Sequence, residues 1–137
     1  MRAWTINLKQ LDVKRLTGLW RETLLAKKGI EYLQRGEKFA YQNHPQSKIF
    51  QHTKEPLKSI NTYLWHIFNE ACDRGYGFNG DKINLDLVDE SIKIPVPKHQ
   101  VEFEYRHLSN KLNKGVINKG TNDMFIEKEV VWNYEKI

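Results

Sequence analysis

VKRLTGLWRETLLAKK, residues 13–28, decides the fold. Wound at 100° per residue, it places Val13, Leu16, Leu19, Trp20, Thr23 and Leu24 on one stripe, and Lys14, Arg15, Gly18, Arg21, Glu22, Leu25 and Lys28 opposite. Asp12 precedes the run as an N-cap and Gly29 follows it as a stop, so the spacing predicts a helix from Val13 to about Lys28 with its apolar stripe against a core. The outward face is then a positive surface with a notch at Gly18, one turn before a single acid, Glu22. The positions one turn from Glu22 are Gly18, Leu19, Leu25 and Ala26, so pairing along the helix does not account for this acid. Two readings stand: a solvated helix carboxylate near Arg21, or a carboxylate kept for chemistry.

Working outward, Pro56 suits the first turn of a second helix, about 56 to 74, with Leu57, Ile60, Leu64, Ile67, Phe68 and Ala71 inward and Arg74-Gly75 closing it. A third helix is expected from roughly Pro97 to Asn113, with Val101, Tyr105, Leu108 and Leu112 inward and Lys114-Gly115 at its end. Its outer face carries Lys98, Arg106, His107 and Lys111. Residues 29 to 56 mix cations, aromatics and amides without a clear period and suit a long ordered loop or short helical turns. In the tail EKEVVWNYEKI, Trp132 and Tyr134 stand among charges, as a strand or an extended arm docked on the helices. Strand signals are weak throughout. The expected class is mainly α: one compact domain over 1–137, about three helices with long ordered loops and a C-terminal arm.

The chain of 137 residues carries a formal charge of +5, with a pI near 9.3 and a mean hydropathy of −0.69. Such a balance favours a polyanionic partner, nucleic acid first. No apolar run approaches the roughly 20 residues of a membrane span, and MRAWTINL lacks the apolar core of a signal peptide, so a cytoplasmic, nucleoid-associated monomer with no membrane partner is expected. The single cysteine, Cys72, excludes an internal disulfide. It follows Leu64 and Phe68 at i+4 steps and is expected to be buried. Five scattered histidines, 44, 52, 66, 99 and 107, put no two ligands on one helix face; neither a metal site nor a cofactor is expected.

The start of the chain bears on Glu22. Initiator methionine is removed when a small residue follows, and here Arg2 follows, so Met1 is expected to remain. An α-amine has an unperturbed pKa of about 7.7 to 8.0, well below that of lysine, and is in part neutral and nucleophilic at neutral pH. Met1-Arg2, the stretch Ile6-Asn7-Leu8 and the triplet Trp20-Arg21-Glu22 together resemble the pyrimidine-dimer DNA glycosylases of the endonuclease V type. The likeness continues through His44-Pro45-Gln46, Ile60-Asn61-x-Tyr63-Leu64, Arg74-Gly75-Tyr76, Ile94-Pro95-Val96 and His107-Leu108-Ser109-Asn110-Lys111-Leu112, with an echo at Trp132-Asn133-Tyr134. It is similar to the cellular branch that begins Met-Arg-x-Trp.

The resemblance implies a DNA repair enzyme acting on damaged double-stranded DNA. The N-terminal amine, here of Met1, attacks C1′ of the damaged nucleotide, forms an imine with the opened sugar, and strand scission follows by β-elimination. A helix glutamate 21 positions later supports the chemistry, and Glu22 holds that place. Arg2 and Arg21 are expected to hold phosphates, as planar guanidinium forks suit. Lys14, Arg15, His44, His107 and Lys111 complete the expected DNA contacts, and Phe39, Tyr41, Trp132 and Tyr134 offer faces for splayed bases. Trp4 and Trp20 are expected in the core. Two departures mark the chain: Leu25 stands where the viral enzymes carry a second arginine, and Arg15 where they carry a histidine. A basic module that binds nucleic acid without catalysis, or an interaction protein of incidental charge, fits the same composition.

Overall fold

The computed structural model describes residues 3–39, 41 and 44–132. Met1, Arg2 and Tyr134, expected above in the site, lie outside the described residues. Four α-helices and a two-stranded parallel sheet are built from the described residues: α1 Val13–Gln34, α2 Pro45–Gln51, α3 Pro56–Asp73, β1 Ile94–Val96, α4 Lys98–Leu112 and β2 Phe125–Glu127. The architecture is mainly α, as expected.

Helix α1 runs past its expected stop. Gly29 is buried within it beside Ile30, and the chain leaves the helix only at Gly36, whose φ of +72° a side chain would resist. The Gly36 N–H donates to Leu33 O (3.0 Å) and the Glu37 N–H to Tyr32 O (2.9 Å), the paired bonds of a Schellman end. Glycine inside a buried helical face therefore serves packing, and only the left-handed glycine ends the helix. The inward stripe is Leu16, Leu19, Trp20, Thr23, Ala26 and Ile30. Val13, expected on it, is 53% exposed, because the first turn projects beyond the core's edge, and Leu24 is half-buried at its margin.

Helix α3 follows its expectation closely, ending at Arg74 and Gly75, with Ile60, Leu64, Ile67 and Ala71 buried and Leu57 and Phe68 packed at the rim. Cys72, expected to be buried, is exposed. Each i+4 step rotates a side chain about 40° around the helix, so the line from Leu64 through half-buried Phe68 has left the core by residue 72. Helix α1 packs mainly against α3. Between them and the chain start lies an aromatic cluster: the Trp4 ring stacks on Tyr63 (centroids 5.5 Å, 14°) and both meet Phe50 of α2. Trp4 and Trp20 are core residues, as expected.

The segment between α3 and β1 is held by two buried polar side chains of α3. Asn61 Oδ1 accepts from the Asn84 N–H (2.9 Å), and Thr62 Oγ1 from the Asp89 N–H (2.9 Å). Strands β1 and β2 pair in parallel with Ile94 opposite Phe125 and Val96 opposite Glu127. At three residues each they are too short to show an alternation in sequence. Helix α4 ends on Asn113, whose φ of 52° takes the left-handed position expected at Lys114-Gly115. The described end of the tail is irregular chain, the arm of the two alternatives, anchored by the Trp132 indole N–H to Pro95 O (3.0 Å).

Candidate active site

The outward face of α1 forms one wall of a cleft of about 480 Å³. Lys14, Arg15, Gly18, Arg21 and Glu22 line it from α1, at spacings that repeat every turn. His107, Leu108 and Lys111 line it from α4, again one turn apart, and Ala3 closes it from the start of the chain. Sequence periodicity placed the α1 residues on one face. It said nothing of α4 lying opposite.

Among the described residues, the cleft is lined by four cations, an imidazole and one carboxylate. Glu22 is half-buried, and its Oε2 is withdrawn from solvent. Gly18 lines the cleft one turn before Glu22 and brings no side chain to it. Arg15 is partly committed: its Nη1 donates to Asp12 Oδ2 at 3.1 Å, which holds the guanidinium against the rim. Lys14, Arg21 and Lys111 are exposed. His107 is half-buried with its ring stacked on Phe103 (6.3 Å, 24°).

His44 does not line the cleft. It caps the N-terminal end of α2, and its ring lies parallel to Tyr41 at 4.5 Å with 5° between planes. Burial lowers its pKa from the usual imidazole value, and the Glu22 carboxylate opposes that shift. Burial likewise raises the Tyr41 phenol, with Glu22 adding to it. The stacked pair therefore sits within the field of Glu22. Tyr41, expected to offer a face to a base, spends one on His44. Phe39 packs on Tyr32 (5.1 Å) beneath the Lys28 ammonium. Trp132 lies at a separate cavity of about 540 Å³ with Lys54, Lys93 and Pro95, and is not brought to the Glu22 cleft.

What places Ala3 on the cleft wall is a set of buried polar contacts that sequence patterning does not reveal. Tyr63 Oη donates to Trp4 O (2.5 Å), Asn122 Nδ2 donates to Trp4 O (2.7 Å) and Ile6 O (3.1 Å), and the Thr5 N–H donates to Glu104 Oε1 (2.8 Å). One signal was available: Glu104 falls beside Val101, Tyr105 and Leu108 on the inward face of α4, where an acid needs donors.

Residues 1–84, more than half of the chain, match a family described as pyrimidine dimer DNA glycosylase. The chain belongs to that family. No curated protein and no solved structure matches it. The matched span of the pyrimidine dimer DNA glycosylase family includes the whole α1 wall, Glu22, the Tyr41–His44 stack and α3. Helix α4, with His107 and Lys111, lies beyond it. The family's substrate is DNA, which agrees with the charge of the cleft. No described helix is long and apolar enough to cross a membrane, and no described group of His, Cys, Asp or Glu could hold a metal ion.

Proposed function

We propose that this chain breaks the glycosyl bond at pyrimidine-dimer lesions in duplex DNA and cleaves the strand by β-elimination there or at an abasic site, with the α-amine of Met1 as nucleophile and Glu22 as its carboxylate. The observation that carries the reading is the convergence of Glu22, the cationic walls of α1 and α4 and Ala3 on one cleft. Met1 stands two positions before Ala3 in the sequence.

The amine attacks C1′ and the base departs with its bonding pair. The sugar opens to an imine, which acidifies the C2′ proton. Loss of that proton forms the C2′=C3′ double bond and breaks the C3′–O bond, and the 3′ phosphate leaves. Glu22 stabilises the cationic sugar and takes part in proton transfer. Arg21, Arg15, Lys14 and Lys111, with His107 and Arg2, hold the flanking phosphates, and Trp132 and Tyr134 contact the duplex. Reaching C1′ requires distorting the duplex at a cost of about a few kcal/mol, which the damaged pair lowers and the phosphate contacts offset.

The test is borohydride trapping of untagged protein, its N-terminus verified by intact mass, on a duplex carrying one abasic site, followed by peptide mapping. A covalent adduct at Met1 is expected. Salt-sensitive binding with no adduct would overturn the reading and leave a basic nucleic-acid-binding module.

A further inference from the structure

We infer that Glu104, together with Tyr63 and Asn122, is a positioning residue for this reaction: it fixes the backbone of residues 4–6 and thereby sets where the start of the chain meets Glu22. The inference rests on the amine nucleophile proposed above.

Glu104 is fully buried on α4, outside the residues that line the cleft. Its Oε1 accepts from the Thr5 N–H at 2.8 Å and its Oε2 from Gln100 Nε2 at 2.8 Å. The next groups along the same backbone are held from two other parts of the fold. Trp4 O accepts from both Tyr63 of α3 and Asn122 of the segment before β2, Thr5 O accepts from the Asn122 N–H at 3.0 Å, and Ile6 O accepts from Asn122 Nδ2. Three buried side chains, distant in sequence, thus grip three consecutive residues. Ala3, the next residue toward the start, lies on the cleft wall and is itself buried.

A buried carboxylate is a costly way to close a core, and an apolar side chain of similar volume closes it at lower cost. What the carboxylate adds is direction. A hydrogen bond of 2.8 Å defines where the Thr5 N–H must be, whereas apolar packing tolerates small slips along a strand. Placement matters for the proposed chemistry, because a nucleophile displaced by about 1 Å can lose on the order of 10²-fold in rate. The clamp touches neither substrate nor reacting atoms, so its effect falls on the chemical step rather than on DNA affinity.

The experiment compares single-turnover borohydride trapping on an abasic duplex with affinity for the same duplex. Glu104→Ala is expected to slow trapping roughly 10- to 100-fold while leaving affinity within about twofold. Glu104→Gln is expected to restore trapping, since its amide oxygen still accepts from the Thr5 N–H and Gln100 can turn its own amide to match. Ile30→Val, a core truncation on α1, which carries no residue of the clamp, serves as a control for lost stability and should trap normally. Should Glu104→Ala fail to fold, Tyr63→Phe, which deletes one bond to Trp4 O with little change of volume, carries the same test. A folded Glu104→Ala or Tyr63→Phe protein that traps at the wild-type rate would overturn the inference alone. Wild-type protein that forms no adduct would overturn the amine reading and the inference with it.

Discussion

Two glutamates stand in opposite environments. Glu22 stands in a cleft among cations, with the field of its carboxylate felt by Tyr41 and His44. Glu104 is sealed in the core with two hydrogen-bond donors. Replacing Glu22 by Gln should reduce strand cleavage about 10²- to 10⁴-fold with duplex affinity unchanged or slightly tighter, because a negative charge leaves a phosphate-binding surface; single-turnover gel assays beside anisotropy titrations read both. For Glu104, burial raises the carboxyl pKa, and the bonds from Gln100 and Thr5 oppose the shift. A folded-state pKa above the unfolded value gives stability below the unfolded pKa that is lost as pH rises through the folded one. Glu104→Gln should therefore gain stability relative to wild type as pH rises from the acid range to neutrality, and urea denaturation at several pH values would show a constant difference if this were wrong.

At the scale of elements, helix ends and helix pairing carry the consequences. The Gly75 φ of +79° closes α3, with the Tyr76 N–H donating to Ala71 O at 2.8 Å. An alanine there meets no neighbouring atom within 4 Å, so only the left-handed backbone resists it. Gly75→Ala should cost about 1–2 kcal/mol in a urea melt, and an unchanged midpoint would contradict that account. The pairing of α1 with α4 across the cleft predicts that Lys14 and Lys111 each neutralise a phosphate from opposite walls. The double variant Lys14→Ala with Lys111→Ala should flatten the slope of log affinity against log salt by about 1.8. A slope equal to that of wild-type protein would place the duplex elsewhere.

Across the whole molecule, residues 3–6 are buried members of the core. Trp4 stacks in the core with Tyr63 and Phe50, so α2, α3 and the first residues are one packed unit. Phe50→Ala should remove about 3–5 kcal/mol from a total of about 5–15 kcal/mol typical of a domain. A fall in Tm accompanied by a disproportionate loss of trapping would follow, since the cavity lies beneath the segment that carries Ala3. Trapping that merely tracked the folded fraction would count against this coupling.

Residues 13–28 and 56–75 revealed α1, α3 and the charged wall of α1 from periodicity alone, because a helix's faces are set by spacing within one segment. The place of Glu22 on that wall was legible for the same reason, while its distance along the chain from Met1 took its meaning from the family resemblance. What spacing cannot carry is the meeting of segments far apart. The arrival of α4 at the same cleft, the parallel pairing of β1 with β2, the stacking of Tyr41 on His44 and the grip of Glu104 on Thr5, 99 positions away, exist only once the core has closed. The exposure of Cys72 and the burial of Gly29 belong to the same class, since helical spacing gives the direction of a side chain but not where the neighbouring elements end. Sequence by itself thus determined the long helices, their charge and the face that carries Glu22; tertiary structure decided which residues share the cleft with Glu22 and how residues 4–6 are held, because both depend on contacts that local spacing does not encode.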